Sequence, residues 1–396
     1  MRTNNRILIS GASIAGLTLA YWLARHGFQP TVIERAPALR AGGNGVDLRD
    51  QAIEVAERMG IMEQVHAAAT DVMGMKFVNA ADRAMARIDT QGDGGVEIMR
   101  GDLVAFLHRA AGDDVEYIFR DSIATLEQDG DGVEVTFEHG PARRFDLVIG
   151  ADGLHSHVRR LAFGQESQFL RHKDHYFAFA GTDAALGEDR WVTMYNLPGK
   201  MAGIYRSGNH AEAKAYFIFR SKEQITYDHH DVEQQKRLIS DAFAAEPSWR
   251  ISELLDTALA DPDFYFDALS QVQMESWSSG RVALVGDAAY CASPASGAGA
   301  ELALIGAYRL AGELAAADGD HELAFRRYQQ RHRELVKQRQ QIGPNIRLMV
   351  PRTRTGRIMR DTLVRLPLMR VMAAAERLTS SRTPQPLTGY PATATS

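Results

Sequence analysis

The chain has 396 residues, of which 45% are hydrophobic and 24% charged, and this length and composition predict a soluble globular protein with two domains. A formal net charge of −5 without a long basic run excludes nucleic acid as an expected partner, and the absence of ~18 consecutive apolar residues predicts no membrane span. The single cysteine, Cys291, excludes an intrachain disulfide and favours a reducing, cytoplasmic location.

The first predicted element is a buried parallel strand that runs into a glycine turn and an amphipathic helix. Gly11 permits the tight turn, and Gly16 allows the helix to pack closely on the strand. The helix N-terminus at Ser13, Ile14 and Ala15 offers N–H groups and a positive dipole to a pyrophosphate. Because serine replaces the middle glycine of GxGxxG, this first motif alone leaves an ordinary strand-to-helix turn equally open.

A second strand is predicted over 31–34, and it ends at Glu34. A carboxylate roughly 20 residues after the glycine turn is expected to accept hydrogen bonds from adenosine ribose hydroxyls, with Arg35 beside it in the same cofactor site. Helices and strands alternate through this half of the chain, as a parallel α/β sheet requires. The predicted helices cover 14–27, 49–60 and 102–111.

Two later segments have the same strand-then-loop character. The second motif, 146–153, is an apolar strand followed by Asp152 and glycine. The third motif follows a strand at 281–285 and precedes a long helix that begins near residue 300. An aspartate at a strand end before a proline- and glycine-rich loop predicts a second dinucleotide contact; its candidate residues are Gly286, Asp287, Pro294, Gly297 and Gly299.

Together, these three motifs resemble those of the FAD-dependent class A aromatic hydroxylases, the p-hydroxybenzoate hydroxylase-like monooxygenases. In that family the Gly-Asp-Ala segment binds the ribityl and pyrophosphate groups of FAD, and the aspartate-glycine motif is associated with FAD and the reduced nicotinamide cofactor. The resemblance implies an α/β fold in which a Rossmann-like FAD-binding domain with a parallel sheet joins a strand-rich substrate domain, with a C-terminal helix bridging the two.

Two shorter segments extend the resemblance. Arg100 begins an Arg-x-x-Leu segment like the one whose arginine reaches the flavin, and Asp47 lies in a segment similar to the flavin side of tetracycline-inactivating monooxygenases. From the residues alone, the alternative for Arg100 is a solvated surface side chain, and the alternative for Asp47 is the N-cap of the helix that follows it. Tyr290 departs from the family, since relatives commonly carry histidine after Gly-Asp-Ala-Ala.

The expected domain organisation follows from the order of these segments. Residues 1–170 and 276–345 are predicted to form the FAD-binding domain, 171–275 the substrate domain, 346–378 a C-terminal helical segment and 379–396 a disordered, Ser/Thr/Pro-rich tail. The substrate domain is rich in aromatic residues, which either line a cavity or fill a second core. The candidate substrate contacts are Phe179, Met194, Tyr205 and Phe217.

The resemblance also implies a mechanism without a catalytic side chain or a metal, because the flavin carries the chemistry. NADPH or NADH would act as a transient co-substrate that reduces FAD, and O₂ would add at flavin C4a. The resulting hydroperoxide would hydroxylate an aromatic or polyketide-like small molecule, antibiotics included. Two alternatives stay open: a flavin-linked reductase of isoprenoid or polyketide double bonds, and a dinucleotide-binding module without turnover.

Overall fold

The computed structural model describes residues 4–40, 42–89, 94–341, 346, 349–365 and 387–390. The strands are β1 (Arg6–Ser10), β2 (Gln29–Glu34), β3 (Gly45–Leu48), β4 (Gly74–Val78), β5 (Ala84–Asp89), β6 (Val96–Met99), β7 (Glu116–Phe119), β8 (Ile123–Gln128), β9 (Val133–Phe137), β10 (Arg143–Phe145), β11 (Leu147–Gly150), β12 (Leu170–Thr182), β13 (Trp191–Leu197), β14 (Lys200–Tyr205), β15 (Ala213–Arg220), β16 (Tyr265–Val272), β17 (Ser278–Ser279) and β18 (Val282–Leu284). The helices are α1 (Ile14–Arg25), α2 (Gln51–Arg58), α3 (Met62–Ala67), α4 (Arg100–Ala111), α5 (His157–Phe163), α6 (Val232–Phe243), α7 (Ile251–Ala260), α8 (Asp287–Tyr290), α9 (Gly299–Ala316), α10 (His321–Gln340) and α11 (Arg354–Arg365).

One sheet has the strand order β17-β18-β11-β1-β2-β7, and its members from β18 to β7 are parallel. Its central strand is buried on both faces, because Ile7, Leu8 and Ile9 are each 0% exposed. Helices α1 and α9 pack against each other beside this sheet. Burial on both faces explains the continuous apolar run in the sequence, and the Rossmann-like parallel sheet is confirmed.

A second sheet has the order β16-β12-β15-β14-β13-β4-β5, and we call it the roof sheet. Strands β4 and β5 lie within residues 74–89, so the roof sheet is not confined to 171–275 as the sequence suggested. Strand β4 pairs in parallel with β13, with Phe77 opposite Met194. Strand β4 thus pairs with a strand that is distant in the sequence. The local sequence of β4 could not predict that it belongs to the roof sheet.

The roof sheet has an outer and an inner face, because successive side chains on a strand alternate. The outer face packs on α6 and α7 through an apolar cluster that includes Tyr176, Phe217 and Phe243. The inner face carries a separate cluster that includes Phe177 and Met194, with Phe179, Tyr265 and Ala295 packed against it. Since Ala295 belongs to the third motif, the inner face meets the loops of the parallel sheet.

Helix α11 packs on the roof sheet through a buried arginine. The Arg360 guanidinium lies 4.0 Å from the centre of the Phe77 ring, and its Nη1 donates to Asn196 Oδ1 at 2.7 Å. The remainder of the predicted C-terminal helical segment, 366–378, lies outside the described residues. No helix in the described ranges is both long enough and apolar enough to cross a membrane.

Two of the four described residues of the predicted tail, Leu387 and Tyr390, pack against the rest of the protein, so the expectation of disorder is wrong at 387–390. Leu387 is 5% exposed, and the Tyr390 hydroxyl donates to Glu313 Oε1 at 2.6 Å. The Tyr390 ring lies over Gly312 on α9, where a Cβ would overlap it. A missing side chain on the helix thus creates the groove that the tail fills. Residues 379–386 and 391–396 lie outside the described residues.

We expect Tyr390→Ala to lower the free energy of unfolding by about 1–3 kcal/mol, because it removes a half-buried ring and leaves a cavity over Gly312. Tyr390→Phe, which keeps the ring and removes the hydrogen bond to Glu313, should cost about 1 kcal/mol. Met359→Ala, at a residue 62% exposed, is the matched control. Guanidinium denaturation measures all three, and an unchanged midpoint for Tyr390→Ala would show that the tail contributes nothing to the fold.

Candidate functional site

The first and second motifs meet at a backbone contact that only glycine allows. A Cβ on Gly11 would lie 2.6 Å from the carbonyl oxygen of Ala151, and the φ angle of Gly11 is +108°. Gly16 packs so closely on the turn that a Cβ there would overlap the Gly11 carbonyl. These contacts place the turn and the loop after β11 side by side at the carboxyl edge of the sheet, where ligands bind in open parallel sheets.

The third motif joins the other two through one backbone approach and one buried arginine. A Cβ on Gly286 would lie 2.9 Å from the Cβ of Ala15, so the loop before α8 packs on the first turn of α1. Arg159 is 0% exposed, and its Nη1 donates to the Ala288 carbonyl at 2.9 Å. All three sequence motifs are therefore brought together.

The N-terminus of α1 presents backbone N–H groups without a side-chain cap. Ser13 makes no capping hydrogen bond, and the first turn carries no acidic residue. Instead, Ser13 Oγ accepts a hydrogen bond from Arg100 Nη2 at 2.8 Å. Arg100 is half-buried, which rules out the solvated surface arginine that the sequence left open. Its guanidinium and the helix dipole together form a positive site of the kind that binds a pyrophosphate.

Glu34 is held beside this turn by two backbone donors. Its Oε2 accepts from the N–H of Ala12 at 2.9 Å and its Oε1 from the N–H of Ala36 at 3.0 Å. Carboxylate oxygens have more than one acceptor site each, so Glu34 retains capacity for ribose hydroxyls. Arg35 is exposed, and its Nη1 lies 3.5 Å from Nδ1 of His230.

Asp152 supports the start of α5, whose N-cap residue is Ser156. Its Oδ1 accepts from the Ser156 hydroxyl at 2.5 Å, and its Oδ2 accepts from the N–H of Val158 at 3.0 Å. A Cβ on Gly11 would lie 3.1 Å from the Asp152 Cα, so the backbone of Asp152 adjoins the glycine turn while its side chain fixes α5. The structure therefore gives this predicted cofactor ligand a supporting role at the start of α5.

Asp287 begins α8, and its side chain keeps an exposed face although neighbouring protein atoms partly desolvate the carboxyl group. This desolvation raises the pKa of the Asp287 carboxyl. A hydrogen bond with the Cys291 thiol and the positive charge of Arg100 lower the pKa but do not outweigh the desolvation. A carboxylate that is partly desolvated and faces a cation is suited to accept hydrogen bonds from ligand hydroxyls.

The rest of the third motif forms a turn and a second uncapped helix start. Pro294 opens a turn of 3-10 helix, Gly297 is left-handed with φ +66°, and α9 begins at Gly299 with no side-chain cap. Asp47 Oδ2 lies 3.6 Å from the position of a Cβ on Gly297. The N-cap of α2 is Asp50, so the helix-cap interpretation of Asp47 is wrong and this carboxylate faces the turn.

The predicted substrate residues divide between the two faces of the roof sheet. Phe179 and Met194 belong to the inner face. The Tyr205 hydroxyl donates to Glu97 Oε2 at 3.0 Å and so ties the roof sheet to β6. Phe217 is wrong as a substrate contact, because it is 0% exposed and packs on Phe243 of the outer face.

Sequence reasoning missed a polar network behind the inner face. Asp267 is 4% exposed, and its two oxygens accept from the Tyr227 hydroxyl at 2.8 Å and the Tyr265 hydroxyl at 3.0 Å. His155 Nε2 lies 3.2 Å from Asp267 Oδ1, and its Nδ1 lies 3.0 Å from Glu166 Oε1. The period-two pattern of β16 could have placed Tyr265 and Asp267 on one face, but no local signal pairs them with His155.

The charges of this network are set by His155. Burial lowers the pKa of the imidazole, but hydrogen bonds to Asp267 and Glu166 outweigh it and raise the pKa to about 9. Burial would raise the pKa of Asp267, and the hydrogen bond from His155 holds it below its ordinary value. At neutral pH the network therefore contains an imidazolium between two carboxylates.

Comparison with known proteins agrees with this geometry. Residues 4–341 match the family model described as an FAD binding domain. The chain belongs to this FAD-binding family of flavin-dependent monooxygenases. It is 38% identical over 348 residues to a flavin-dependent monooxygenase of Legionella longbeachae, covering 87% of this chain and 89% of that protein. An uncharacterized protein of Mycobacterium tuberculosis is 45% identical over 342 residues, covering 84% and 91%.

Solved structures give the same placement. The tetracycline destructase Tet(55) superposes with a TM-score of 0.82 at 35% identity, covering 98% of this chain and 99% of that one. Tet(51) gives 0.81 at 36% identity, covering 92% and 97%. HpxO complexed with FAD, at 20% identity and a TM-score of 0.69, shares the fold and covers 95% of this chain and 99% of its own.

The residues of this flavin-dependent monooxygenase fit FAD. The uncapped α1 N-terminus and Arg100 suit the pyrophosphate, Glu34 suits the adenosine ribose, and Asp287 suits the ribityl hydroxyls. Tyr290, the departure from the family motif, is a core residue. It is 1% exposed and lies 3.0 Å from the Tyr328 hydroxyl, so it fills the core between α8 and α10.

We expect Asp287→Ala to weaken FAD binding by about 1–3 kcal/mol, the range for removing a hydrogen-bond partner from a partly desolvated group. Titration of the apoprotein with FAD, followed by quenching of flavin fluorescence, measures the dissociation constant without any turnover. Asp113→Ala, which removes an exposed carboxylate elsewhere on the surface, is the control. If the folded Asp287→Ala variant binds FAD as tightly as the parent, Asp287 does not belong to the site.

The raised pKa of His155 predicts a specific pH dependence of stability. Its contribution is complete below the unfolded pKa, about 6.5, and is lost as the pH rises through about 9. Between pH 7 and 10 the stability advantage of the parent over His155→Gln should therefore shrink by about 2 kcal/mol. Chemical denaturation at a series of pH values tests this, and a constant difference would mean that His155 is neutral in the folded protein.

Proposed function

We propose that this flavin-dependent monooxygenase uses NAD(P)H and O₂ to hydroxylate an aromatic or polyketide-like small molecule, with tetracycline-type polycycles among the candidates. The observation that carries the proposal is the aromatic inner face of the roof sheet, which contacts the third-motif loop through Ala295. Stacked rings beside a cofactor loop suit a flat, largely apolar ligand.

The residues on this face have two tasks. Phe177, Phe179 and Tyr265 form a stacked group, with ring centroids of Phe179 and Tyr265 4.9 Å apart, that aligns a planar ring. Met194 and its apolar neighbours exclude water, which would otherwise divert the reducing equivalents to H₂O₂. When bound, FAD supplies the redox chemistry that transfers electrons from the nicotinamide and activates O₂.

Several observations support the finer parts of the proposal. The similarity to tetracycline destructases extends over 98% of this chain, and those proteins are named for a polycyclic ligand. Arg35 is an exposed cation beside Glu34, in keeping with its predicted place in the same FAD site. The single cysteine is buried and free, in keeping with a cytoplasmic location.

The decisive experiment is substrate-stimulated NADPH oxidation. The holoenzyme is mixed with NADPH and a panel of phenols, polycyclic polyketides and tetracyclines, and NADPH loss, O₂ uptake and product mass are followed together. The proposal requires O₂ uptake that matches NADPH loss and a product heavier by one oxygen atom. NADPH oxidation that proceeds without O₂ and yields a reduced double bond would instead establish the flavin-linked reductase.

A matched pair of variants compares the two faces of the roof sheet, with Phe179 of β12 on the inner face and Phe217 of β15 on the outer face. Phe179→Leu alters the inner face and should change which compound stimulates NADPH oxidation, or raise H₂O₂ release, at unchanged FAD content. Phe217→Leu alters the outer face, so it should lower stability by about 1 kcal/mol and leave substrate preference intact. Equal effects of the two variants on preference would remove the inner face from the substrate site.

A further inference from the structure

Tyr265 lies where the inner face of the roof sheet meets the FAD loops. Its ring stacks on Phe179 with an interplanar angle of 22°, and it is half-buried. It packs on the same apolar cluster as Ala295 of the third motif. Tyr265 is therefore a polar member of the aromatic inner face, as is Tyr216, whose hydroxyl donates to Asn44 Oδ1 at 2.9 Å.

The hydrogen of the Tyr265 hydroxyl is committed to Asp267. The hydroxyl donates to Asp267 Oδ2 at 3.0 Å. An ionised carboxylate accepts hydrogen bonds and cannot donate them, so the direction of this bond is fixed as long as Asp267 is charged. The Tyr265 oxygen then has only acceptor capacity to offer a ligand, and the negative charge behind it strengthens that capacity.

His155 keeps Asp267 charged. Its Nε2 lies 3.2 and 3.3 Å from the two Asp267 oxygens, and its Nδ1 lies 3.0 Å from Glu166. With a carboxylate at each ring nitrogen, the imidazole donates from both sides. The Asp267 carboxylate is buried in the protein, where an isolated charge would be unfavourable, so it depends on this imidazolium.

We propose that Tyr265 is a specificity-determining residue that accepts a hydrogen bond from a hydroxyl group of the substrate, and that His155 is the positioning residue that holds it in this role through Asp267. The substrate class is then a phenolic or enolic ring with a free hydroxyl. This inference rests on the proposed function, because the ligand it describes is the compound to be hydroxylated. It goes further by naming the group on that compound which the enzyme recognises.

The same geometry predicts what the site rejects. A methyl ether has no hydrogen to donate, so its oxygen would face the Tyr265 oxygen as a second acceptor. A buried polar group left without its partner discriminates strongly against the analogue that lacks the donor. A phenol and its methyl ether, which have the same ring and nearly the same apolar surface, are therefore the pair of ligands that isolates this interaction.

Binding of 2-naphthol and of 2-methoxynaphthalene to the FAD-loaded protein tests the proposal without turnover. Perturbation of the flavin absorbance gives the two dissociation constants. We expect 2-naphthol to bind roughly tenfold more tightly or better. The ratio should approach one in Tyr265→Phe, with FAD content unchanged. Tyr227→Phe removes a hydrogen bond from the same carboxylate and leaves the Tyr265 oxygen in place, so it should keep the preference.

The role of His155 is tested by pH. In the parent protein the preference should be the same at pH 8 and pH 5.5. In His155→Gln the buried Asp267 loses its counter-charge and takes up a proton more readily. The preference should therefore survive at pH 8 and fall at pH 5.5, which a loss of packing alone would not produce. The other titratable groups that interact with Asp267 are Tyr227, Tyr265, Asp287 and Cys291. Around His155 lie Glu166 and the stacked ring of His229, and Arg159 pairs with Glu166.

Equal affinities for the two probes in the parent, or a preference that persists in Tyr265→Phe, would overturn the proposal. So would an absence of 2-naphthol binding up to its solubility limit. Failure of the proposed function looks different, because the probes would then bind with the predicted preference while no compound of the panel couples NADPH oxidation to oxygen transfer.

Discussion

The structure depends on one constraint, the close approach of backbone to backbone where the three loops meet at the carboxyl edge of the parallel sheet. At Gly11 a Cβ would come within 2.6 Å of a neighbouring carbonyl oxygen, and at Gly286 within 2.9 Å of Ala15. Removing side chains at these positions lets loops from distant parts of the chain share one surface. That surface consists mainly of backbone N–H groups and helix ends, so it suits a phosphate better than any arrangement of flexible side chains.

Positive and negative side chains are arranged so that this surface can bind an anion without a large local excess of positive charge. Arg100 is the cation at the turn, and Glu34 and Asp287 each lie within its electrostatic reach. Burial lowers the pKa of Arg100, yet a guanidinium remains charged at physiological pH. The two carboxylates orient hydroxyl groups, while the arginine and the α1 dipole offset the phosphate charge. Recognition of a dinucleotide thus needs both signs of charge, arranged along its length.

The sequence predicts what is encoded locally. A glycine turn before an amphipathic helix and an aspartate at a strand end are short signals, and their residues converge as expected. Phe217 was misassigned because a shift of one residue along a strand moves a side chain to the opposite face. Strands β4 and β5, the packing of Leu387 and Tyr390, and the pairing of His155 with Asp267, 112 residues apart, all depend on long-range contacts. Hydrophobic periodicity contains no information about those partners.

The junction between the roof sheet and the FAD loops is polar as well as apolar. His155 and Arg159 both lie just after the second motif. His155 reaches Asp267 of the roof sheet, and Arg159 reaches Ala288 of the third motif. Glu166 accepts from both, so a single carboxylate links the two connections. Directional bonds of this kind fix angles that apolar contacts leave adjustable. A flavin-dependent monooxygenase gains from such a joint, because the aromatic inner face then keeps one orientation relative to the loops that bind the cofactor.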